Sequence, residues 1–187
     1  MQSLSVLIAT VPEREVMFDK LLLEFISQGI RPIFDSRPRG RVSIGQKRQD
    51  LLNLAMTDYI VYFDDDDWPK PDYIESITGA IQSGPDCVGF KIAMTTNGAN
   101  PQTCIHSLRN DVWQFKDGIY LRNVTHFNPV KRSLALQVGF EDLRFGEDKI
   151  YSDKISKLCH TEVFIDKYLF DYRYTTHEPS NKKYGIS

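Results

Sequence analysis

The sequence feature that most constrains the fold is a buried strand that leads directly into four carboxylates. Residues Tyr59 to Phe63 (YIVYF) are β-branched or aromatic, a composition typical of a strand in the interior of a sheet. Asp64 to Asp67 follow without a spacer, so the acid cluster lies at the carboxyl end of this strand. In open α/β sheets, ligands bind beyond the carboxyl ends of the strands. We therefore expect a binding site here.

The chain before the acid cluster alternates strand and helix patterns. Leu4 to Ala9 is a short apolar run typical of a buried strand, and apolar residues then recur at near-helical spacing up to Gly29. Arg31 to Phe34 reads as a second strand, and a helix is predicted from about Gly45 to Met56. This alternation predicts an α/β fold with a mostly parallel central sheet flanked by helices.

The chain after the cluster has further strand and helix patterns. Pro69 and Pro71 are predicted to open a helix that Gly84 closes, whereas residues 95–118 show little regularity apart from a turn at Asn97-Gly98. The remaining predicted elements are strands at Cys87–Met94 and Tyr120–Phe127, helices at Lys131–Val138 and Glu147–Leu158, and extended segments at Thr161–Ile165 and Tyr168–Tyr174.

Composition excludes several classes of protein. The 187 residues favour one domain, since domains run to roughly 100–200 residues. The sequence has 23 Lys and Arg and 25 Asp and Glu, which gives a net charge of -2. This charge argues against electrostatic binding of nucleic acid over the whole surface, but it allows a local basic patch. Three cysteines without Cys-x-x-Cys spacing argue against a disulfide scaffold or zinc ribbon. With no transmembrane run and no secretory signal pattern, we expect a cytoplasmic protein.

The acid cluster has the chemistry of a hard-cation site. Side chains alternate along an extended chain, so Asp64 and Asp66 are predicted on one side and Asp65 on the other. Two carboxylates on one side suit Mg²⁺ or Mn²⁺, and a cation would relieve the repulsion among four adjacent acids. The alternative is a solvated acidic turn before a helix, where negative charge is also favourable. An EF-hand is excluded because the loop lacks the required Gly and Glu.

Several segments together resemble glycosyltransferase family 2, whose members have the GT-A fold. The resemblance spans about residues 3–155, and Gln49 follows Arg48 where the family usually has Asn. The segments that carry it are Gly45-Gln46-Lys47-Arg48 through Ala55, Tyr59 through Trp68, Pro71-Asp72-Tyr73-Ile74, Thr10-Val11-Pro12-Glu13-Arg14, Asn128 through Ser133, Val138-Gly139-Phe140-Glu141 and Gly146-Glu147-Asp148. It implies one Rossmann-like GT-A domain over residues 1–187, with a donor-binding half at about 1–95, an acceptor-side half at about 96–175 and a mobile polar tail at about 176–187.

The resemblance also implies an activity. The enzyme would be a metal-dependent, inverting glycosyltransferase that moves a hexosyl or related sugar from a nucleotide-diphosphate sugar, a UDP-sugar above all, to an acceptor hydroxyl. Mn²⁺ or Mg²⁺ would be held by Asp66, Asp64 and His177, and Asp148 would be the general base. The residues implied in donor binding are Thr10, Pro12, Glu13, Arg14, Arg48, Asp64 and Asp65.

Each of these roles has a simpler alternative. Thr10 to Arg14 also suits a strand-to-helix turn, Arg48 a solvated helix position, and Asp148 a first-turn acid that complements the helix dipole. We expect ordinary structural or solvated roles for a further set, although the basic members could offset phosphate and the tryptophans could shape a sugar subsite. This set is Arg37, Arg39, Arg41, Lys47, His106, His126, His160, Trp68 and Trp113.

Two other functions remain open at the level of sequence. An acid-rich strand end could serve phosphoryl transfer, although the cluster lies on the third predicted strand and lacks the usual Asp-x-Asp-x-Thr/Val pattern. A non-catalytic nucleotide-sugar or glycan-binding module is the second alternative. The acceptor is left open among a polysaccharide, a protein, a small molecule and a modified nucleic acid, as is the oligomeric state.

Overall fold

Three parallel strands form the half of the sheet that carries the acid cluster. In the computed structural model, which describes residues 1–174, strand β1 (Leu4–Ala9) lies between β2 (Ile33–Asp35) and β3 (Tyr59–Asp64). The register places Ala9 beside both Asp35 and Asp64. The segment after β1 therefore begins at the same edge of the sheet as the acid cluster.

The second half of the sheet is mixed. The strand order is β2-β1-β3-β9-β5-β6-β8-β7, and β10 adds to β5 in parallel and to β4 in antiparallel orientation. The predicted α/β fold class is confirmed, and parallel pairs occur in both halves of the sheet, among β1, β2 and β3 and also between β5 and β10 and between β6 and β8. The remaining strands are β4 (Trp68–Pro69), β5 (Cys87–Thr96), β6 (Ala99–His106), β7 (Gln114–Lys116), β8 (Ile119–Arg122), β9 (Val130–Lys131) and β10 (Glu162–Tyr174).

Helices cover both faces of the sheet and divide the core in two. Alternation along β3 sends Val61 and Phe63 to one apolar cluster with helices α1 and α3, and Ile60 and Tyr62 to another with α2, α4 and α5. Burial on both faces explains why β3 reads as a continuous apolar run. The helices are α1 (Glu15–Ser27), α2 (Ile44–Leu54), α3 (Tyr73–Ile81), α4 (Arg132–Val138) and α5 (Glu147–Leu158).

Several predicted boundaries are wrong, mostly after the acid cluster. Pro69 lies in β4 and α3 begins only at Tyr73; residues 95–118, predicted as irregular, contain β6 and β7. Strand β6 (ANPQTCIH) has weak local strand character and is held by antiparallel pairing with β5. The two extended segments predicted at the end are one bulged strand, β10.

The strand predicted over Tyr120–Phe127 ends at Arg122 because the following residues form a hydrogen-bonded turn. Asn128 Oδ1 accepts a hydrogen bond from the Thr125 amide at 2.9 Å, and Asn128 Nδ2 donates to the Val88 carbonyl at 2.8 Å. This turn carries His126 back beneath the carboxyl end of β3, where the Tyr62 amide donates to the His126 carbonyl at 3.0 Å. Among residues 1–174, no helix combines the length and the apolar character that crossing a bilayer requires.

Asp86 links three segments of the second half, and its removal should destabilise the fold in a pH-dependent way. Its Oδ1 accepts a hydrogen bond from Lys131 Nζ at 2.8 Å, and its Oδ2 accepts from the amides of His160 at 2.9 Å and Thr161 at 3.1 Å. Burial alone would raise the pKa of Asp86, but these hydrogen bonds outweigh it and bring the pKa to about 2.

We expect Asp86→Asn to lower the melting temperature by a few degrees at pH 7, because the folded-state pKa lies below the unfolded value near 3.8. The stabilisation is present above the unfolded pKa and is lost as the pH falls toward 2, so the two melting curves should converge in acid. Asp166→Asn, which removes an exposed carboxylate paired with Lys91, is the control. A difference between Asp86→Asn and the unmodified chain that stays constant down to about pH 2 would contradict this account.

Candidate functional site

The four aspartates divide into a group of three and one that turns away. Asp64, Asp66 and Asp67 each place a carboxylate oxygen within 4.8 Å of the others. Asp65 faces the segment after β1, where its Oδ2 accepts a hydrogen bond from Thr10 Oγ1 at 2.7 Å. The separation of Asp65 from Asp64 and Asp66 follows the predicted alternation. Asp67 joins the group because the chain turns after β3, with the Asp67 amide donating to the Asp64 carbonyl at 3.2 Å.

Asp67 is the buried member of this group. It is 2% exposed, and its Oδ1 accepts a hydrogen bond from the Arg173 amide at 3.1 Å. Its Oδ2 is buried without a hydrogen-bond partner among residues 1–174. Burial, with the negative charges of Asp64 and Asp66, raises the pKa of Asp67 well above its ordinary value. A buried carboxylate oxygen that lacks a donor and has two carboxylates beside it fits the ligand set of a hard divalent cation.

Arg48 joins the acid cluster to the start of α5. Its Nη2 donates to Asp64 Oδ1 at 2.9 Å, and its Nη1 donates to Glu147 Oε1 at 2.5 Å. The Arg48 and Glu147 side chains are each 6% exposed, so this ion pair is buried. Burial raises the pKa of Glu147 against the opposing effect of Arg48, whereas for Asp64 the positive charge of Arg48 outweighs burial and lowers the pKa. Arg48 is therefore a buried connector, and the solvated alternative is wrong.

Asp65 fixes the segment that follows β1. Besides the hydrogen bond from Thr10, its Oδ1 accepts one from Arg14 Nη1 at 2.5 Å, and the same nitrogen lies 3.1 Å from Asp66 Oδ2. Pro12 begins a 3-10 turn over Pro12–Arg14, which agrees with the predicted strand-to-helix turn. Thr10 and Arg14 are thus held against the acid cluster from the neighbouring strand, while Pro12 and Glu13 are exposed.

A cleft of about 510 Å³ lies between these elements, and we call it the first cleft. Such a volume is in the range of small-molecule sites. Three basic side chains, Arg39, Lys47 and Arg144, add to its charge. The predicted site residues that line the first cleft are Thr10, Arg14, Arg48, Asp64, Asp65 and Asp66. Sequence reasoning did not identify Arg144 or Phe145, which also line it.

The basic residues before the acid cluster are not a uniformly solvated loop. Lys47 is 3% exposed, and its Nζ donates to the carbonyls of Thr10 and Arg37, each at 2.5 Å. Arg37 forms ion pairs with Asp35 and Asp50. The prediction of a solvated role is therefore wrong for Lys47, which ties the end of β1 to the loop before α2. Arg41 is exposed, as predicted.

A smaller cavity of about 160 Å³, which we call the second cavity, is lined by His126, whose Nε2 lies 3.2 Å from Arg48 Nη2. Asp148 lines it from the first turn of α5, together with Trp113, Arg122, His126 and Tyr172. Burial and the negative charges of the acid cluster and of Asp148 raise the pKa of Tyr172. His126 links the second cavity to the acid cluster, since it lines this cavity and its Nε2 lies 3.7 Å from Asp64 Oδ2.

The histidines and tryptophans differ in their burial and in their contacts. His126 is 4% exposed and its Nε2 lies 3.7 Å from Asp64 Oδ2, so it adjoins the acid cluster. Burial lowers the pKa of His106 to about 3, which keeps this imidazole neutral. His160 is exposed, and Arg173 stacks over Trp68 at 5.9 Å beside a third cleft that Glu13 also lines. The predicted metal ligand His177 lies outside the described residues.

The comparisons with known proteins give one matching family model and several solved structures of similar fold. The family model described as "Glycosyl transferase family 2" matches residues 18–144. The crystal structure of S. aureus TarS 1-349 in complex with UDP-GlcNAc is similar with a TM-score of 0.71 and 14% identity, over 100% of this chain and 62% of that one. TarS 1-349 without that ligand gives a TM-score of 0.67 and 15% identity, over 92% and 60% of the two chains.

A third similar structure is the mannosyltransferase PcManGT from Pyrobaculum calidifontis in complex with GDP-Man and Mn²⁺. Its TM-score is 0.59 at 12% identity, over 91% of this chain and 56% of that one. This chain therefore spans less than two thirds of each of these solved chains. At such identities the likeness establishes the GT-A fold. No curated protein matches the chain.

Proposed function

The chain belongs to glycosyl transferase family 2, and on that basis we propose that it transfers a sugar from a nucleotide-diphosphate sugar to an acceptor hydroxyl, with inversion at the anomeric carbon. The observation that carries this proposal is the first cleft, which joins Thr10 and Arg14 at the end of β1 to Asp64 and Asp66 at the end of β3. Ligands of open α/β sheets bind at this edge.

The donor fits the first cleft by charge and by size. Thr10 and Arg14, held in place by Asp65, would border the nucleoside, while Arg39 and Arg144 line the same cleft and would offset the diphosphate. A UDP-sugar is our preferred donor, and UDP-GlcNAc bound to TarS supports that choice. PcManGT is in complex with GDP-Man, so the test below also includes GDP-mannose as a donor.

Asp64, Asp66 and Asp67 would hold Mn²⁺ or Mg²⁺, and the partnerless Oδ2 of Asp67 supports their fit to a cation. When bound, such an ion supplies positive charge that stabilises the departing nucleoside diphosphate. The Mn²⁺ named with PcManGT supports this choice of ion. His177 remains a proposed additional ligand.

Asp148 is the proposed general base. A hydroxyl becomes a competent nucleophile when a carboxylate takes its proton as the new bond forms. Asp148 lines the second cavity, and the buried Arg48–Glu147 ion pair holds the preceding residue, so the start of α5 is fixed before any acceptor arrives. Direct attack on the face opposite the leaving group inverts the anomeric carbon.

The purified chain should be tested with Mn²⁺ against UDP-GlcNAc, UDP-glucose and GDP-mannose, with calorimetry for binding and slow donor hydrolysis for turnover. We expect metal-dependent binding of at least one donor and its hydrolysis in the absence of acceptor. Turnover of phosphomonoesters without donor hydrolysis would favour phosphoryl transfer instead. Donor binding without turnover against a broad acceptor panel would favour the non-catalytic module.

Asp67→Asn and Asp65→Asn form a matched pair that separates cation binding from nucleotide binding. Asp67→Asn should raise the Mn²⁺ concentration needed for donor binding by roughly tenfold or more, because it removes one charged oxygen from the group of three. Asp65→Asn should instead weaken binding of the free nucleotide without metal, since Arg14 loses its ion pair with Asp65. Calorimetric titration of Mn²⁺ in the presence of donor measures the first effect, and calorimetric titration of the nucleotide without metal measures the second. Equal Mn²⁺ requirements in the two variants would contradict the separation.

A further inference from the structure

Arg122 brings an unneutralised positive charge to the second cavity. Its guanidinium lies 4.9 Å from the ring centroid of Trp113 and 5.2 Å from that of Tyr120, and its Nη1 donates to the Leu121 carbonyl at 3.1 Å. Within residues 1–174, no carboxylate lies at ion-pair distance from it. A half-buried guanidinium without an acid beside it is set up to bind an anion.

His126 also lines this cavity, but its Nε2 is engaged with the acid cluster, 3.2 Å from Arg48 Nη2 and 3.7 Å from Asp64 Oδ2. Arg122 is therefore the group that supplies positive charge to the second cavity.

The other charged group of the cavity is Asp148, and Arg122 and this acid suit different ends of one small molecule. An anionic group would meet Arg122, while a hydroxyl on an adjacent carbon would reach the carboxylate of Asp148. Trp113 would cover the apolar side of the intervening carbons. The volume of about 160 Å³ limits the bound portion to a fragment of this kind.

We propose that the acceptor carries a phosphate or carboxylate group next to the hydroxyl that is glycosylated, and that Arg122 binds this anion. The inference rests on the proposed function because it assigns the second cavity to the acceptor. It adds a substrate class and one specificity-determining residue.

The test uses the fluorescence of Trp113, which becomes the single tryptophan of the chain in Trp68→Phe because the sequence has two. Glycerol 3-phosphate, glycerate and glycerol are titrated at constant ionic strength, without donor or metal. We expect saturable quenching by one or both anions and binding of glycerol that is weaker by roughly tenfold or more. The phosphate and carboxylate arms show which anion the cavity prefers.

Variants in the same background identify the residues responsible. Arg122→Gln should weaken binding of the anions by roughly tenfold or more. Arg122→Lys keeps the charge but loses the planar guanidinium, so its affinity for the anions should lie between those of the parent chain and Arg122→Gln. Arg109→Gln is the matched control, because Arg109 also lies over an aromatic ring, 5.7 Å from that of Phe164, but is exposed and outside the cavity. Thermal melts show that each variant is folded.

Equal affinity for glycerol and the two anions would overturn the inference, as would equal losses in Arg109→Gln and Arg122→Gln. The selectivity of the parent Trp68→Phe chain tests it even if Arg122→Gln does not fold. Donor calorimetry on the unmodified chain separates the two proposals. Donor binding without anion selectivity overturns this inference alone, whereas anion selectivity without donor binding or turnover overturns the proposed function.

Discussion

Asp66→Ala should reduce sugar transfer by roughly 10³-fold or more and should remove the metal dependence of donor binding. The Asp66 carboxylate faces those of Asp64 and Asp67, and its side chain is 34% exposed, so its loss removes a cation ligand while costing little packing. Transfer rates with and without chelator, together with calorimetry of the donor in Mn²⁺, measure the effect.

Asp72→Ala is the control for Asp66→Ala, because Asp72 is also an acid near the cluster but pairs with Lys167 on the surface. It should retain both transfer and metal dependence. Full activity of Asp66→Ala, or full activity of the unmodified chain in chelator, would end the proposal that a divalent cation takes part.

Asp148→Asn should lower the transfer rate by roughly 10²–10⁴-fold, the usual contribution of a general base, while donor and metal affinity hold. The substitution keeps the size of the side chain and removes its ability to take a proton. Asp148 lines the second cavity and not the first cleft, which is why the donor should be unaffected. Rates at saturating donor and acceptor measure the change.

Asp153→Asn provides the matched control on the same helix, since Asp153 pairs with Lys149 on the exposed side of α5. Asp153→Asn should retain the transfer rate of the unmodified chain. The anomeric configuration of the product, determined by NMR, gives a second check. Retention of configuration, or an Asp148→Asn enzyme as fast as the unmodified chain, would rule out Asp148 as the base of an inverting reaction.

The parts of the site that local sequence predicts are those set by a single strand. The run from Tyr59 to Phe63 forms β3 because both faces are buried, and strand alternation separates Asp65 from Asp64. Asp67 was missed because alternation ends with the strand, and the turn that returns it to Asp64 depends on a backbone hydrogen bond between them.

The features that sequence reasoning missed depend on contacts between distant segments. Lys47 can be buried because its Nζ donates hydrogen bonds to the backbone carbonyls of Thr10 and Arg37, and no local pattern signals these contacts. His126 reaches the acid cluster only because the turn after β8 packs beneath β3. Strand β6 likewise forms against β5, so tertiary pairing outweighs its weak local propensity.

The contacts of Arg48 also affect how the sequence can vary. Asp64 and Glu147 both accept hydrogen bonds from the Arg48 guanidinium. Removing a single partner of a buried ion pair commonly costs about 3–5 kcal/mol, because the remaining charge is left uncompensated. Effects at these three positions will therefore be strongly non-additive. A library that changes one of them at a time would score each as intolerant, because each single change leaves a charge of this group without its partner. These positions constitute one epistatic unit that spans 99 residues of sequence.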